Sequence, residues 1–587
     1  MKFSRAFSRY SLIFSVCLLG FFAASCVKMA VTPMPAYPTR HYDYTHSETT
    51  PESPPWTDPQ DYPYVTIVTP ANGSFVTPGT VAVTGTYAGP AATLTLNGQP
   101  LALNGTAFSG QINVASTDNV VAVKVTATTT AAGRVSSDLS TIFTGTGQSP
   151  AGTTVDGLAL DLENSGLQAV GSLLAKLLGS IDLAPLVNSQ LDPRKSGGLT
   201  ASGSLLQGVS VLLQSTASGL EVGLAVQEIA IDFSLLGLPI NISIGDLSAQ
   251  LVAGLTFDAN HKATVTIVSS AVHIGSLGLS NPLLDEVVSY VVGVVIDAVV
   301  KLAVPGLLEN LLNQLNLTIT ATGFTYSFLP SLAVATDRNF VLGLDSLLTV
   351  TDTSKWNADF QPAGYRSTPA AAPSFPAKTP RLNAAYGLAI DANANMVNQL
   401  LYGLCATDSL TFEITDPILT AELFSVLFFS FDSIPPATPL IVRFTPTVAP
   451  VAIGDPATKI MSLSLPAYTA QILVDRGAAG KFEALTFAVG LTAPLTLRTN
   501  SDGSFSLLLG ELKLSLEVVH NEIGQKNVEQ LGSLFRDLFE TVLPSLLESL
   551  STAKITIPVI DGLQISIADL AAFGPDYNDF GIFLELQ

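Results

Sequence analysis

Two segments of this chain recur in the same order at nearly the same separation, which constrains its folding more than any other feature. Leu158-Ala159-Leu160-Asp161 returns as Leu388-Ala389-Ile390-Asp391, an offset of 230 residues. Val304-Pro305-Gly306-Leu307-Leu308-Glu309-Asn310-Leu311 returns as Leu543-Pro544-Ser545-Leu546-Leu547-Glu548-Ser549-Leu550, an offset of 239. Matching order and spacing point to two related modules. The first pair is expected to open helical segments running to about Leu178 and Leu404, and the second pair to close longer ones. Each half then reads strand, helix, strand-rich middle, long helix, final strands. The modules are expected at 152–360 and 382–587, joined by a proline-rich linker at 361–381.

Composition agrees with a folded, multidomain chain. It has 587 residues, 47% hydrophobic and only 12% charged, where about 25% charged is ordinary. The formal net charge of −21 repels phosphate backbones, so no nucleic-acid partner is expected.

Residues 1–25 read as an export signal. Lys2, Arg5 and Arg9 form a basic start with no acid, followed by the apolar run Leu12 to Ala24. The run ends in Ala23-Ala24-Ser25-Cys26, which resembles a bacterial lipobox. That resemblance implies cleavage before Cys26 and thioether-linked diacylglycerol on its sulfur, an N-terminal lipid anchor in the membrane. Cleavage after small residues without lipid is the alternative. Val27, in place of the aspartate associated with inner-membrane retention, favours the outer membrane of a bacterial envelope. Residues 26–63 hold eight prolines among Tyr, Thr, Ser, Asp and Glu. Such a composition cannot bury a core and makes a tether spanning roughly 35 Å as a flexible coil. Cys17 leaves with the signal and Cys26 takes lipid, so Cys405 is alone, without a disulfide framework, and reads as a small buried hydrophobe.

From 64 to 147 the pattern becomes short alternating β-branched runs: Val65 to Val68, Thr80 to Tyr87, Ala92 to Leu96, Thr106 to Ile112, Val120 to Thr129 and Leu139 to Thr144. Asn97-Gly98 marks a hairpin turn. This is expected to be an all-β sandwich, and Pro70-Ala71-Asn72-Gly73, Val81 to Thr86 and Leu96-Asn97-Gly98 resemble bacterial Ig-like repeats. Spacer and adhesion module are both open roles for it.

The stretch Pro282 to Leu312 contains an apolar run long enough to cross a bilayer. Glu286, Tyr290, Gly293, Asp297 and Lys301 interrupt it at spacings of 4, 3, 4 and 4, one narrow polar stripe on a helix. An amphipathic helix packed on a sheet is therefore expected, with Pro305 a place to kink or end it. Its counterpart, Val528 to Leu550, carries Arg536, Asp537, Glu540 and Glu548.

The duplicated module with a proline-rich joint resembles the bactericidal/permeability-increasing and lipopolysaccharide-binding protein family, of the tubular lipid-binding superfamily. The resemblance rests on Leu160 to Leu167, Arg381 to Asp391, Val559 to Ser566 and Phe580 to Leu584. It implies an α+β fold of two tandem tubular barrels, each a twisted antiparallel sheet wrapped around a long helix, with apolar pockets for acyl chains. It also implies that Leu167, Val170, Leu174 and Leu177 with Val288, Val291, Val295 and Val299 line the first pocket; an amphipathic helix needs the same residues merely to bury itself. The acidic charge and lack of a cysteine pair depart from the endotoxin-binding members, so cationic attack on endotoxin is not carried over.

No cofactor and no metal site is expected. The histidines at 41, 46, 261, 273 and 520 are dispersed, and no HExxH, GxSxG, phosphate-loop or dinucleotide pattern occurs. Asp576, Asn578 and Asp579 alternate like calcium ligands, but the downstream bidentate acid is missing and a plain turn is expected. The chain is expected not to be an enzyme. A lipid-binding or lipid-transferring lipoprotein and a structural or adhesive lipoprotein with solid cores remain the two readings.

Overall fold

The computed structural model describes residues 63–586 except 117, 132–134, 193, 197, 236–237, 280–284, 314, 316, 359, 361–362, 370–371, 416–437, 476–480, 500–504, 511–512, 522–553 and 556–564. The export signal, Cys26, most of the tether and the helix expected at Val528 to Leu550 lie outside the described residues. So does most of the segment Val559 to Ser566.

The described chain is mostly β-sheet. Its first part runs through β1 (Tyr64–Thr69), β2 (Phe75–Val76), β3 (Gly79–Ala88), β4 (Ala92–Leu96), β5 (Gln99–Leu101), β6 (Leu103–Asn104), β7 (Ala107–Val114), β8 (Val120–Thr129) and β9 (Val135–Thr144). Two sheets result, ordered β1-β3-β7-β6 and β2-β9-β8-β4-β5. Both contribute to one buried core of Val83, Leu94, Phe108, Val123, Val125 and Ile142. The turn at Asn97-Gly98 has φ of 47° and 78°, the left-handed pair a two-residue hairpin needs, and it sets Leu96 opposite Gln99.

The remainder comprises β10 (Thr146–Gln148), β11 (Gly152–Glu163), α1 (Asn164–Gly179), α2 (Ala184–Gln190), β12 (Thr200–Gln207), β13 (Ser210–Thr216), β14 (Gly219–Leu235), β15 (Leu238–Phe257) and β16 (Ala263–Leu279). Then follow α3 (Asp285–Asp297), a π-helical segment (Ala298–Ala303), α4 (Val304–Asn313), β17 (Leu317–Ala321), β18 (Phe324–Ala335), β19 (Asn339–Val350) and β20 (Tyr365–Ser367). The second half has β21 (Leu388–Asn393), α5 (Ala394–Ala406), β22 (Phe412–Ile414), β23 (Leu440–Pro446), β24 (Val451–Gly454), β25 (Met461–Asp475) and β26 (Lys481–Thr499). It ends with β27 (Phe505–Leu509), β28 (Lys513–Asn521), β29 (Lys554–Ile555), β30 (Ile565–Phe573) and β31 (Asp579–Leu586).

Both halves build one central sheet, ordered β17-β18-β19-β11-β21-β31-β30. The first half adds a sheet ordered β12-β14-β15-β16 with β13 beside β14. The second adds one ordered β22-β23-β25-β26-β27-β29, with β24 beside β25 and β28 beside β26. The repeated tetrapeptides lie in strands β11 and β21, and helix begins only at Asn164 and Ala394. This corrects the expectation that Leu158 and Leu388 open helices. Leu158 and Leu160 enter the main core while Ala159 enters a second core on the opposite face. An apolar run covered on both faces lacks the polar alternation that marks a strand.

Part of the proline-rich joint between the halves is packed into the protein. Tyr365, Arg366, Ser367 and Phe375 are buried, and β20 pairs with β10 from Thr146↔Ser367 to Gln148↔Tyr365. Through it the sandwich is docked on the body. Phe75, Phe143 and Val120 pack with Val448, Val451 and Ile453, Arg366 Nε donates to Thr144 O at 2.9 Å, and its Nη2 donates to Asn119 Oδ1 at 2.7 Å.

Candidate functional site

The first-half sheet turns one face inward along its whole length. Val222, Leu224 and Val226, then Ile229, Ile231 and Phe233, are buried on β14, as are Ile242, Ile244, Leu247, Ala249 and Leu251 on β15. The inward positions change from even to odd numbers between Val226 and Ile229, and β15 shifts likewise between Ile244 and Leu247. Gln227 and Asp246 mark the line, and Asp246 has a φ of 51°. Each strand spends one extra residue there, which bends the sheet while keeping the same surface inward.

Helix α3, the π segment and α4 fill the concave side. Val291, Val295 and Val299 are fully buried, while Gly293, Asp297 and Lys301 are exposed, as the polar stripe requires. Lys301 and Asp297 form an i,i+4 ion pair at 2.9 Å. The helix passes Pro305 without ending; the π turn directly before it widens the backbone where the proline withholds its N–H. Ser289–Asn310 is long and apolar enough to cross a membrane by length and composition, and 67% of its most apolar window is buried within the protein.

Helix α1 closes the same core. Leu167, Leu174 and Leu177 are buried and Val170 is partly so, in one contiguous cluster with Val291, Val295 and Val299. Gly171 lets the helix touch β13, because a Cβ there would come within 2.6 Å of Val211 O. The side chain of Val288 lies outside the described set. Seven of the eight residues expected to line a pocket are thus brought together, but closely packed on one another and on the sheet.

The accessible part of the concave face lies at the edge strand β16. Its first residues are closed by α4: Asn313 Oδ1 accepts the Ala263 N–H at 2.8 Å and Glu309 Oε1 accepts the Val265 N–H at 2.9 Å. Beyond Thr266 no such closure occurs among the described residues. Val272 pairs with Ala249, Ile274 with Leu247 and Leu277 with Ile244, so all three share the inward face. Yet Val272 is 40% and Leu277 45% exposed, against 2% for Ala249 and 0% for Ile244. The wall is apolar inside and open at Val272 and Leu277, while Ile274 between them packs against the core. Sequence reading missed it, because the bend at Asp246 puts Leu277 inward where strict alternation from Ile274 would put Ser276. The positive signals were Gly245-Asp246 and Gly275.

Elsewhere, Cys405 is buried and burial pushes its thiol pKa up. Asp579, the first residue of β31, turns inward and accepts from Asn393 Nδ2 at 2.9 Å, just after a tight turn at Pro575–Tyr577. His261 lies in the Asp258–Lys262 turn with its Nδ1 3.1 Å from Pro330 O.

No protein-family model matches the sequence, and no curated protein matches it. Among solved structures, a lipopolysaccharide binding protein aligns with 73% of this chain and 99% of its own at 13% identity and a TM-score of 0.36. P47 from Clostridium botulinum A2 aligns with 73% of this chain and 97% of its own, at 11% identity and a TM-score of 0.23. P47 of Clostridium botulinum E1 aligns with 74% and 100%, at 10% identity and a TM-score of 0.22. Likeness at this level is distant and carries no inference about function.

Proposed function

We propose that this protein is an envelope lipoprotein, anchored through Cys26, that binds the acyl chains of a lipid in the first-half module and passes them across the open edge of β16. The single observation behind the reading is the exposure of Val272 and Leu277 on a face whose register partners are fully enclosed. A solid core would cover these side chains; an apolar ligand sliding along the half-strand covers them equally well. Each methylene moved out of water contributes about 0.8 kcal/mol. The two halves are read here as the tandem tubular modules the sequence suggests, and the sandwich as an Ig-like domain. The anchor holds the sheath near its membrane. Binding needs no catalytic group.

The test uses the full chain with Cys26→Ala, purified without detergent, extracted for lipid and titrated with a fluorescent phospholipid. Copurifying lipid and saturable uptake are expected, and Val272→Asp with Leu277→Asp should abolish uptake while the chain keeps the Tm of delipidated wild type, since both side chains are partly exposed. A wild-type preparation that holds no lipid and takes up none favours the structural or adhesive reading.

A further inference from the structure

The duplication places two aspartates at equivalent points of the central sheet, and their surroundings differ in a chemically decisive way. Asp161 on β11 and Asp391 on β21 are both buried, at 0% and 1% exposure. Asp161 stands opposite Val341 of β19, with Asn339 two residues along; Asp391 stands opposite Gly581 of β31, with Asp579 two residues along. Asn339 and Asp579 are therefore counterparts. In the first half Asn339 Nδ2 donates to Asp161 Oδ1 at 2.7 Å and Tyr386 OH donates to Oδ2 at 2.8 Å. In the second half the asparagine is a second carboxyl, and the counterpart of Tyr386 at the same 230-residue offset is Asp156. The Phe580 N–H serves Asp391, but Asp391 Oδ1 has no partner.

Two carboxylates cannot both stay ionised in such a place, because neither can donate to the other and no base among the described residues pairs with them. We propose that Asp391 and Asp579 share a proton, making the β21–β31 strand pair, directly beside the seam strand β11, a proton-binding site whose occupancy sets how firmly the central sheet holds together. The groups facing it are Asp579 and Asn393 from its own strand pair and Asp156 from β11. Behind Asp156 stands Asp345 of β19, which accepts the Asp156 N–H at 3.0 Å. Beside β30, whose Ala572 N–H it accepts, Lys459 turns its ammonium away to Pro380 O at 2.9 Å. No lysine or arginine is among the charges acting on Asp391. Burial first, and then the neighbouring Asp579 carboxyl, push the Asp391 pKa well up; burial raises that of Asp579 to about 6.

The sign follows from linkage. Carboxyls that hold protons more tightly folded than unfolded, where about 3.9 is usual, contribute stability that is complete below pH 4 and lost as pH rises through about 6. The experiment is thermal unfolding of the full chain between about pH 3.5 and 8, wild type against Asp579→Asn, which restores the donor present at Asn339. The variant is expected to match wild type at the acid end, below the unfolded pKa of about 3.9, and to melt several degrees higher at pH 8, so that the difference in Tm grows with pH. Comparing the two chains at each pH cancels the contribution of the overall acidic charge. Asp391→Asn is the second variant and should behave alike. Parallel profiles, or lower melting of both variants at pH 8, would overturn the proposal. Neither variant touches β16, so lipid uptake stays an independent measurement.

Discussion

Leu160 lies directly opposite Ile390 in the central sheet, each at the same position of its own repeat. The antiparallel register runs from Leu158↔Ala392 to Leu162↔Leu388, so the two copies meet about a local twofold axis between these residues. β19 flanks β11 as β31 flanks β21, and a helix leaves each seam strand immediately. The two modules are therefore not separate beads; they close one sheet together.

Close approach at the seam is the first test of that arrangement. Gly166 opens helix α1 against Gly387, whose carbonyl a Cβ at Gly166 would overlap, while Glu163 N–H donates to the same carbonyl at 3.1 Å. Backbone cannot yield as a flexible side chain does. Gly166→Ala should lose at least the about 1–3 kcal/mol typical of overpacking, measured by urea unfolding, whereas Gly203→Ala, in open space, should lose less than about 1 kcal/mol.

The satisfied aspartate gives the opposite response from its counterpart. Removing a donor from Asp161 leaves a buried carboxylate oxygen bare, and burial already raises its pKa while Tyr386 and Asn339 lower it. Tyr386→Phe and Asn339→Leu should each cost about 1.5–3 kcal/mol at pH 7. The loss should shrink at pH 4, where the carboxyl can take up a proton in either state.

A buried arginine with no carboxylate partner among the described residues joins the sandwich to the body. Arg366 is 5% exposed and spends its donors on Thr144 O and Asn119 Oδ1; burial lowers its pKa. Arg366→Met should speed amide exchange in β10 and β20 and expose the 145–153 junction to protease, leaving exchange in β14 and β15 unchanged. Equal acceleration everywhere would mean that the arginine supports the whole fold.

The sandwich has a core of its own, so residues 63–148 expressed alone should give a dispersed amide spectrum. The face bearing Phe75, Val120 and Phe143 is then uncovered, and concentration-dependent association is expected. A collapsed spectrum at low concentration would show that docking is needed for folding.

Anchoring is tested by fractionation. Cys26→Ala should move the chain from membrane to soluble fractions, since loss of its acyl chains removes stable attachment; unchanged processing and fractionation in the variant would dismiss the lipobox reading.

Much of the architecture was legible before any coordinates. Alternation located the longer sandwich strands to within a few residues, because most have one face in a core and one toward water, and Asn97-Gly98 named its turn; β9, covered on both faces at its end, was placed least well. The polar stripe through Tyr290, Asp297 and Lys301 oriented the long helix for the same reason. The repeat announced two related halves. Local pattern failed where both faces are covered, as at Leu158 to Leu162, since burial on two sides erases the period that distinguishes strand from helix.

What the sequence determined by itself is which segments are alike and which faces are apolar, because both follow from the order of side chains along the backbone. Tertiary structure alone decided that the repeats pair with each other at Leu160 and Ile390, that Asp391 meets Asp579 where Asp161 meets Asn339, and that β16 is left half open. Each depends on residues hundreds of positions apart being brought to hydrogen-bonding or van der Waals distance. Those energies exist only once the sheets have closed, and no local preference of the chain encodes them.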